Sequence, residues 1–324
     1  MNFSSNASMV RPLRDTFQTA VTKNVVVVAL CLSINYINGT LVHTFFRHRI
    51  FSENPRYILF IHMVLNDMIQ LTIAVLLHVI SYAVFTINVS LCCFLLMIAV
   101  FTTLNTPLNL ASMAIERYIA ICNPLRHAQI CTARRTYSLI GIIWLMGAIP
   151  ILPDLFILLA TEPLAFFHSR IFCQRDSVFR HPYLVEKKNI SHMVYLSFVW
   201  LTLVYTYFRI MFAAKAAKSD ARKARNTILL HGVQLLMCMF TYIGPLLEGL
   251  LVYLFPMLVL EMRFTIYVIV HILPRLVSPV VYGLRDQTFC KYLKNYYVCS
   301  NCNMSQAPQN VTSLKPLPQV KPLF

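Results

Sequence analysis

Charged side chains inside long apolar stretches are the residues of this chain best placed to do chemistry. Glu116 and Arg117 stand side by side after an apolar run that starts at Leu91. A charge at membrane depth is costly, so such residues face protein and find partners there. We expect Glu116 and Arg117 at one rim of a membrane, either as a switch or as a plain charge pair without function.

Two further charges, Asp67 and Arg275, lie deep inside other apolar runs. A guanidinium at that depth needs a carboxylate, and Asp67 is the acid expected near it. We therefore hypothesise an ion pair between Asp67 and Arg275. The alternative is that Arg275 points to backbone carbonyls or lipid headgroups.

The elements that must position these charges are membrane helices. The chain has 324 residues, of which 58% are hydrophobic and 12% charged, a composition typical of a polytopic membrane protein. A span needs about 20 apolar residues. Seven runs qualify, at 24–46, 57–80, 91–122, 136–159, 190–214, 225–251 and 262–284. The predicted fold is an all-α membrane protein, a bundle of seven transmembrane helices over residues 24–284.

The orientation follows from Lys and Arg in the connecting segments, which accumulate on the cytoplasmic side. The richer side holds the segments around 47–56, 126–135, 215–225 and 285–294, which predicts an extracellular N-terminus, residues 1–23. Asn2 and Asn6 begin glycosylation sequons there. Topogenesis and anionic membrane lipid account for the net charge of +16, although basic coupling loops would also fit. We expect no nucleic-acid partner.

Enzyme chemistry is not expected. The sequence has no Gly-rich phosphate loop and no HExxH, and its intramembrane acids are too few and scattered for a general acid–base pair. We therefore predict no catalytic residue, no cofactor and no metal. An internal repeat with interrupted helices in matching halves, typical of transporters, is also missing from the sequence.

Residues 113–127, MAIERYIAICNPLRH, closely resemble the MAxxRYxAIxxPLRH signature of vertebrate odorant receptors, a group of rhodopsin-like G-protein-coupled receptors. The string KARNT at 223–227 resembles their KAFST, and SPVVYGLRD at 278–286 resembles NPxxYSLRN. The string LHGVQ at 230–234 looks like the fish branch. The resemblance covers about residues 24–297.

This resemblance implies an odorant receptor of the plasma membrane. A small molecule would bind from outside, helix six would swing outward about Pro245, and a heterotrimeric G protein, of olfactory or stimulatory type, would be activated. The switch residues carried over are Glu116, Arg117, Tyr118, Tyr205 (with Tyr207 as a near alternative), Pro279 and Tyr282.

The resemblance also implies an intramembrane polar network that often holds a sodium ion. Its members here are Asn38, Asp67, Thr106, Arg275 and Ser278. Ser278 replaces the usual asparagine. In this chain Arg275 would stand in for the ion as a fixed cation if it pairs with Asp67.

The extracellular side is oxidising, so we expect a disulfide between the start of span three and Cys173 in the loop after span four. Cys92 and Cys93 both stand at that start; the family alignment selects Cys92. Helical phase places Ala99, Val100, Thr103, Tyr242, Leu246, Tyr267, Val268 and His271 towards a ligand pocket, or equally in the core. Glu248 either faces that pocket or lies at the rim.

Two further features concern the end of span four and the C-terminal region. Pro150 and Pro153 should bend or end span four near its outer rim. Residues 285–297 alternate apolar and basic residues as a membrane-surface helix does, and 298–324 have the composition of a disordered tail.

Two alternatives to an odorant receptor stay open: a non-olfactory rhodopsin-like receptor for a small ligand, and a channel or transporter.

Overall fold

The computed structural model of this chain describes residues 16–216, 250–251, 254–255 and 259–277. These residues are almost entirely helical. The helices are α1 Phe17–Arg47, α2 Arg49–Ser52, α3 Pro55–Ala83, α4 Val89–Cys122, α5 Pro124–Ile130, α6 Ala133–Ala148, α7 Ile151–Thr161, α8 Leu164–His168, α9 Arg175–Val178, α10 Pro182–Ala216 and α11 Val259–Tyr267. A π-helical turn, Val268–Ile272, follows α11, and α-helix resumes over residues 273–277.

Five helical segments in the described ranges are long and apolar enough to cross a membrane. They are Phe17–Arg47, Pro55–Ala83, Val89–Cys122, Ala133–Thr161 and Pro182–Phe212. Nearly all of the sixth predicted span, and the amphipathic segment and tail predicted after 284, lie outside the described residues. The protein is therefore an all-helical, multi-pass membrane protein.

The first and fifth spans begin earlier than the apolar runs indicate. The Thr16 hydroxyl caps α1 by accepting the Thr19 amide at 3.3 Å, so polar residues before position 24 join the helix. In α10, Pro182 suits the first turn, and Lys187 and Lys188 lie inside the helix. Hydropathy places a boundary where charge begins, whereas caps and proline decide where the backbone becomes helical.

Pro150 separates α6 from α7, which confirms the break predicted near this end of span four. Because Pro150 has no amide, the carbonyl of Met146 loses its helical donor. The Tyr195 hydroxyl of α10 donates to that carbonyl at 2.6 Å. The Lys187 ammonium of α10 donates to the Pro150 carbonyl at 2.9 Å. The break thereby joins span four to span five.

The α4 helix is the centre of the bundle. Every residue from 104 to 114 is buried, so protein surrounds this stretch on all sides. Its Leu110 and Met113 pack with α1, α2 and α3, whereas Leu108 and Ala111 pack with α6 and α10. At its first turns, a two-stranded antiparallel ladder pairs β1, Ile87–Asn88, with β2, Arg170–Ile171, of the loop after α7.

Gly147 of α6 packs tightly against α4. A β-carbon there would lie 2.3 Å from Oδ1 of Asn105 and 3.4 Å from Cε2 of Phe101. Asn105 is only 1% exposed, so it has little room to move away. Nothing lies within 4 Å of a β-carbon built on Gly141 of the same helix.

We predict that Gly147→Ala destabilises the protein by about 1–3 kcal/mol through overpacking. Gly141→Ala is the matched control, and it should raise stability by about 0.5–1 kcal/mol, because it has the gain in helix propensity without the clash. Thermal unfolding of both variants in the same detergent measures the difference. Equal melting temperatures for the two would contradict this close contact.

Candidate functional site

The two ends of α4 carry different chemistry, and we call them the Cys92 end and the Glu116 end. At the Glu116 end, Oε2 of Glu116 lies 3.7 Å from Nε of Arg117, and Oε1 lies 3.2 Å from Nε2 of His127 in α5. Glu116 is buried, and the other two side chains are partly buried. The structure thus links the Glu-Arg-Tyr string directly to the Pro-Leu-Arg-His string that follows it.

Tyr118 lies beside the second half of α10. The ring centroids of Tyr118 and Tyr205 are 6.0 Å apart. The Arg209 guanidinium lies 6.0 Å from the centroid of the Tyr118 ring. Tyr207, the alternative considered from sequence, contacts Phe208 instead. Tyr205 is the tyrosine that approaches α4, and it is 57% exposed.

Cys131, in the short connection between α5 and α6, shows the electrostatic influence of Glu116. Burial raises the pKa of the Cys131 thiol, and the Glu116 carboxylate raises it further. This thiol therefore stays protonated at neutral pH, which makes it a poor nucleophile.

At the Cys92 end, Cys92 is bonded to Cys173, which confirms the predicted disulfide. The neighbouring Cys93 is a free, buried cysteine. The bridge joins residues 81 apart and holds the loop after α7 against the first turn of α4. Val178 and Phe179 of that loop pack with Cys92 in one buried cluster.

The polar centre of the bundle lies between α3 and α4. Nδ2 of Asn66 donates to the Thr102 carbonyl at 2.9 Å and to the Thr106 hydroxyl at 3.0 Å. Nε2 of Gln70 donates to the Thr103 hydroxyl at 2.7 Å. These bonds satisfy amides that neither lipid nor water reaches.

Sequence reasoning placed Asp67 and Thr106 in this network but missed Asn66 and Gln70. Asp67 is 2% exposed and Thr106 is 7% exposed. The overlooked signal was the spacing of Asn66 and Gln70, which puts two amides on one face of an otherwise apolar helix.

The hypothesised Asp67–Arg275 ion pair is not among the salt bridges between described side chains. Instead, Nη1 of Arg275 donates to the Val270 carbonyl at 2.8 Å. Pro274 provides the reason, because it has no amide to donate to the carbonyl four residues before it. The Arg275 guanidinium donates to the Val270 carbonyl, which cannot receive the α-helical amide bond from Pro274.

The rhodopsin-family model of seven-transmembrane receptors matches residues 37–302. That match takes in both ends of α4, the polar centre and the disulfide. The chain belongs to the rhodopsin family of seven-transmembrane receptors. Receptors of this family are not enzymes, in agreement with the prediction from sequence.

Individual relatives place this receptor near the odorant branch. Odorant receptor 131-2 of Danio rerio is 32% identical over 309 residues, which cover 92% of each chain. Olfactory receptor 4E2 of Mus musculus is 27% identical over 204 residues, 59% of this receptor and 63% of that protein. G-protein coupled receptor 39 of Homo sapiens is 33% identical over 105 residues, 32% of this receptor and 23% of that protein.

The other predicted site residues divide into two groups. Asn38 is fully buried in α1, and its amide has no hydrogen-bond partner among the described residues. Several predictions lie outside the described residues and stay predictions: Asn2, Asn6, Tyr242, Leu246, Glu248, Ser278, Pro279 and Tyr282.

The predicted pocket residues in the described ranges stay predictions, and the structure gives their individual contacts. Thr103 faces Gln70, and the Tyr267 ring stacks on His78 of α3 with centroids 4.3 Å apart. His271 lies 5.3 Å from the Tyr267 ring. Ala99 supplies the carbonyl that the Thr103 hydroxyl bonds, and Val268 belongs to the π-helical turn. Only Val100 of this set lines the cleft described next.

A charged cleft opens at the Cys92 end between α4, α7, α9 and α10. Its volume is about 260 Å³ with its open mouth included, and we call it the Asp154 cleft. Oδ1 of Asp154 lies 2.5 Å from Nζ of Lys187, and Oδ2 lies 3.3 Å from Nη2 of Arg175. Burial lowers the pKa of Arg175, and the Asp154 and Asp176 carboxylates oppose that shift.

Sequence reasoning missed this charge cluster because its members are far apart in the chain. The one available signal was Asp154, an acid four residues after Pro150 in an apolar run. Within the described ranges, no group of three or more His, Cys, Asp and Glu side chains is arranged to hold a metal ion.

The disulfide yields a prediction with a control built into the sequence. Cys92→Ser should lower the free energy of unfolding by about 2–5 kcal/mol, because it removes the restraint on the loop. Cys93→Ser should keep the bridge and most of the stability. Thermal unfolding and alkylation of the denatured, unreduced variants measure both effects. The pairing would be wrong if Cys93→Ser, and not Cys92→Ser, exposed the Cys173 thiol to alkylation.

Proposed function

We propose that this receptor is an odorant receptor of the plasma membrane, activated by a small molecule from outside the cell. The observation that carries the proposal is its similarity to odorant receptor 131-2 over 92% of both chains. Because this similarity extends over the whole bundle and is not confined to one segment, it indicates a shared ligand-sensing role.

The disulfide supports an extracellular Cys92 end, because disulfides persist in oxidising compartments. The Glu116 end is then cytoplasmic. The α1 helix runs in the same direction as α4, because the chain reverses direction once between α1 and α3 and again between α3 and α4. We therefore propose an extracellular N-terminus, with Asn2 and Asn6 as glycosylation candidates.

The proposed mechanism is a shift between two states of the bundle. A ligand favours one state only through a difference in affinity for the two. In the activated state helix six, whose predicted hinge is Pro245, moves outward at the cytoplasmic end. Arg117, Tyr205 and Tyr282 would then line a crevice for the C-terminal helix of a G-protein α subunit, of olfactory or stimulatory type.

Contacts at the Glu116 end support this mechanism. The Glu116 carboxylate contacts the side chains of Arg117 and His127. It therefore holds the arginine beside α4 and away from a cytoplasmic partner. Tyr205 is largely exposed, 6.0 Å from Tyr118, so it is accessible to a partner docked between α4 and α10. Membrane lipid contacts the remaining apolar surface.

A second candidate is a rhodopsin-like receptor outside olfaction. The local similarity to G-protein coupled receptor 39 favours it, although that match covers 23% of that protein. Both candidates share the coupling residues. The ligand that activates the receptor separates them.

The test of the proposed function is cyclic-AMP output in cells that co-express the full chain with an olfactory stimulatory G protein. The panel comprises waterborne amines, amino acids, carboxylic acids and steroids. We expect a ligand-dependent signal that Arg117→Ala reduces by at least about tenfold, since it removes a charge at the coupling crevice. Arg134→Ala, an exposed arginine of α6, is the matched control and should signal normally.

Surface labelling confirms that each variant reaches the membrane. The proposal fails if the surface-expressed receptor responds to the panel equally well with Arg117→Ala. A ligand-gated current without cyclic AMP would instead indicate a channel.

The contact between Glu116 and His127 gives a further prediction. His127→Ala removes one partner of a buried carboxylate, so Glu116 restrains the inactive state less firmly. We expect ligand-independent cyclic AMP to rise about twofold to fivefold, as loss of one such bond allows. His168→Ala, in α8 at the opposite end, should leave basal output unchanged. Basal output that falls with His127→Ala at normal surface levels would contradict the restraint.

A further inference from the structure

The Asp154 cleft contains more positive than negative charge. Lys187 and Arg175 share the single carboxylate of Asp154, and each of these three side chains is at most 20% exposed. The three groups together carry one excess positive charge. A partly desolvated charge without a counter-ion is unfavourable. At the mouth of the cleft, Lys188 lies 3.4 Å from Asp176, and this pair is balanced.

Hydrogen-bond donors in the cleft remain available. An ammonium has three N–H groups, and the contacts of Lys187 within the described residues use two of them, on Asp154 and on the Pro150 carbonyl. A guanidinium has five, and Arg175 directs its Nη2 at Asp154. The Ser191 hydroxyl also lines the space. A guanidinium and an ammonium that each bond one oxygen of Asp154 can also bond the two oxygens of another carboxylate.

The rest of the cleft lining is mostly apolar. Val100 and Leu104 of α4 and Ile151 of α7 belong to it. The cleft therefore offers two cations among hydrocarbon groups. Most of its volume of about 260 Å³ is the open mouth, and the enclosed part holds little more than one water-sized group, so only the head of a small ligand would enter between the helices. Such an arrangement suits a short aliphatic chain that ends in a carboxylate.

The loop disulfide explains how the site is held together. Arg175 follows Cys173 by two residues, so the bridge to Cys92 fixes the loop that carries the guanidinium. The Pro150 break turns a carbonyl towards Lys187 and positions that ammonium. Two independent covalent features, a disulfide and a proline, thus place the two cations on either side of Asp154.

We propose that the Asp154 cleft binds the carboxylate of a small extracellular ligand, with Arg175 and Lys187 as the anion-binding pair. This proposal rests on the function proposed above, because it names the chemical class of the ligand that activates the receptor. Asp154 acts as an internal competitor, since the incoming carboxylate takes over part of its contacts with both cations.

The test measures binding without signalling. The purified full chain in nanodiscs is titrated with sodium salts from acetate to octanoate, and with the alcohol and the amine of matching chain length. We expect the carboxylates to raise the melting temperature and the alcohols and amines to leave it nearly unchanged. If no carboxylate in the series raises it at millimolar concentration, the proposal is wrong.

Variants that remove a cation and a variant that removes the anion distinguish carboxylate binding from a purely structural role of this charge cluster. Lys187→Gln and Arg175→Gln should each weaken carboxylate binding by about tenfold or more, as loss of a charge-assisted bond does. Asp154→Asn should strengthen it several-fold, because it removes the competitor. Arg180→Gln, in the same loop, is the matched control and should bind like the original chain. Lys187→Arg keeps the cation and should retain binding.

A clamp that only holds α7, α9 and α10 together predicts a different pattern. All three cleft variants would then lower the melting temperature of the free receptor, and none would tighten carboxylate binding. That pattern, or equal binding by all variants, overturns the proposal. Carboxylate binding without cyclic AMP would contradict the proposed receptor function alone. A signal from neutral ligands without carboxylate binding would contradict the cleft proposal alone.

Discussion

Protein surrounds the α4 helix at residues 104–114, and this enclosure sets the terms for the rest of the bundle. Polar groups on that stretch reach neither water nor lipid, so only protein can provide their hydrogen bonds. Asn66 and Gln70 of α3 bond the Thr106 hydroxyl, and Asn109 donates to the Leu59 carbonyl of α3. Gly147 does the converse on the other side, since its missing side chain lets α6 approach closely. The orientation of α3 and α6 around α4 follows from these contacts.

At two prolines in the described spans, a side chain bonds the backbone carbonyl that the missing proline amide leaves open. At Pro150, Tyr195 of α10 does this for the Met146 carbonyl, and Lys187 bonds the carbonyl of Pro150 itself. At Pro274, Arg275 does it from within its own helix. The same physical rule has different results. In span four the carbonyls at the break are bonded by side chains of a second helix, next to the cleft. In the last span the open carbonyl is bonded by an arginine of the same helix.

The two ends of the bundle combine these features for complementary roles. The Cys92 end has a covalent bridge and an excess of positive charge in a partly closed cleft, which suits capture of an anion. The Glu116 end has one buried carboxylate with two basic neighbours, which suits a restraint that a conformational change can release. The α4 helix carries residues of both sites, so a rotation or shift of this helix provides a direct physical connection between them.

The sequence by itself determined the helical membrane fold and the different chemistry of the two ends, and its resemblance to odorant receptors selected Cys92 as the partner of Cys173. Each of these depends on local information, namely the length of apolar runs, the placement of charge and a motif at fixed spacing. Only the tertiary structure decided that His127 contacts Glu116, that Asp154 joins two cations, and that Arg275 bonds a carbonyl rather than Asp67. Those contacts depend on how each helix is rotated about its axis and where prolines release carbonyls, which the hydropathy of a single segment does not specify.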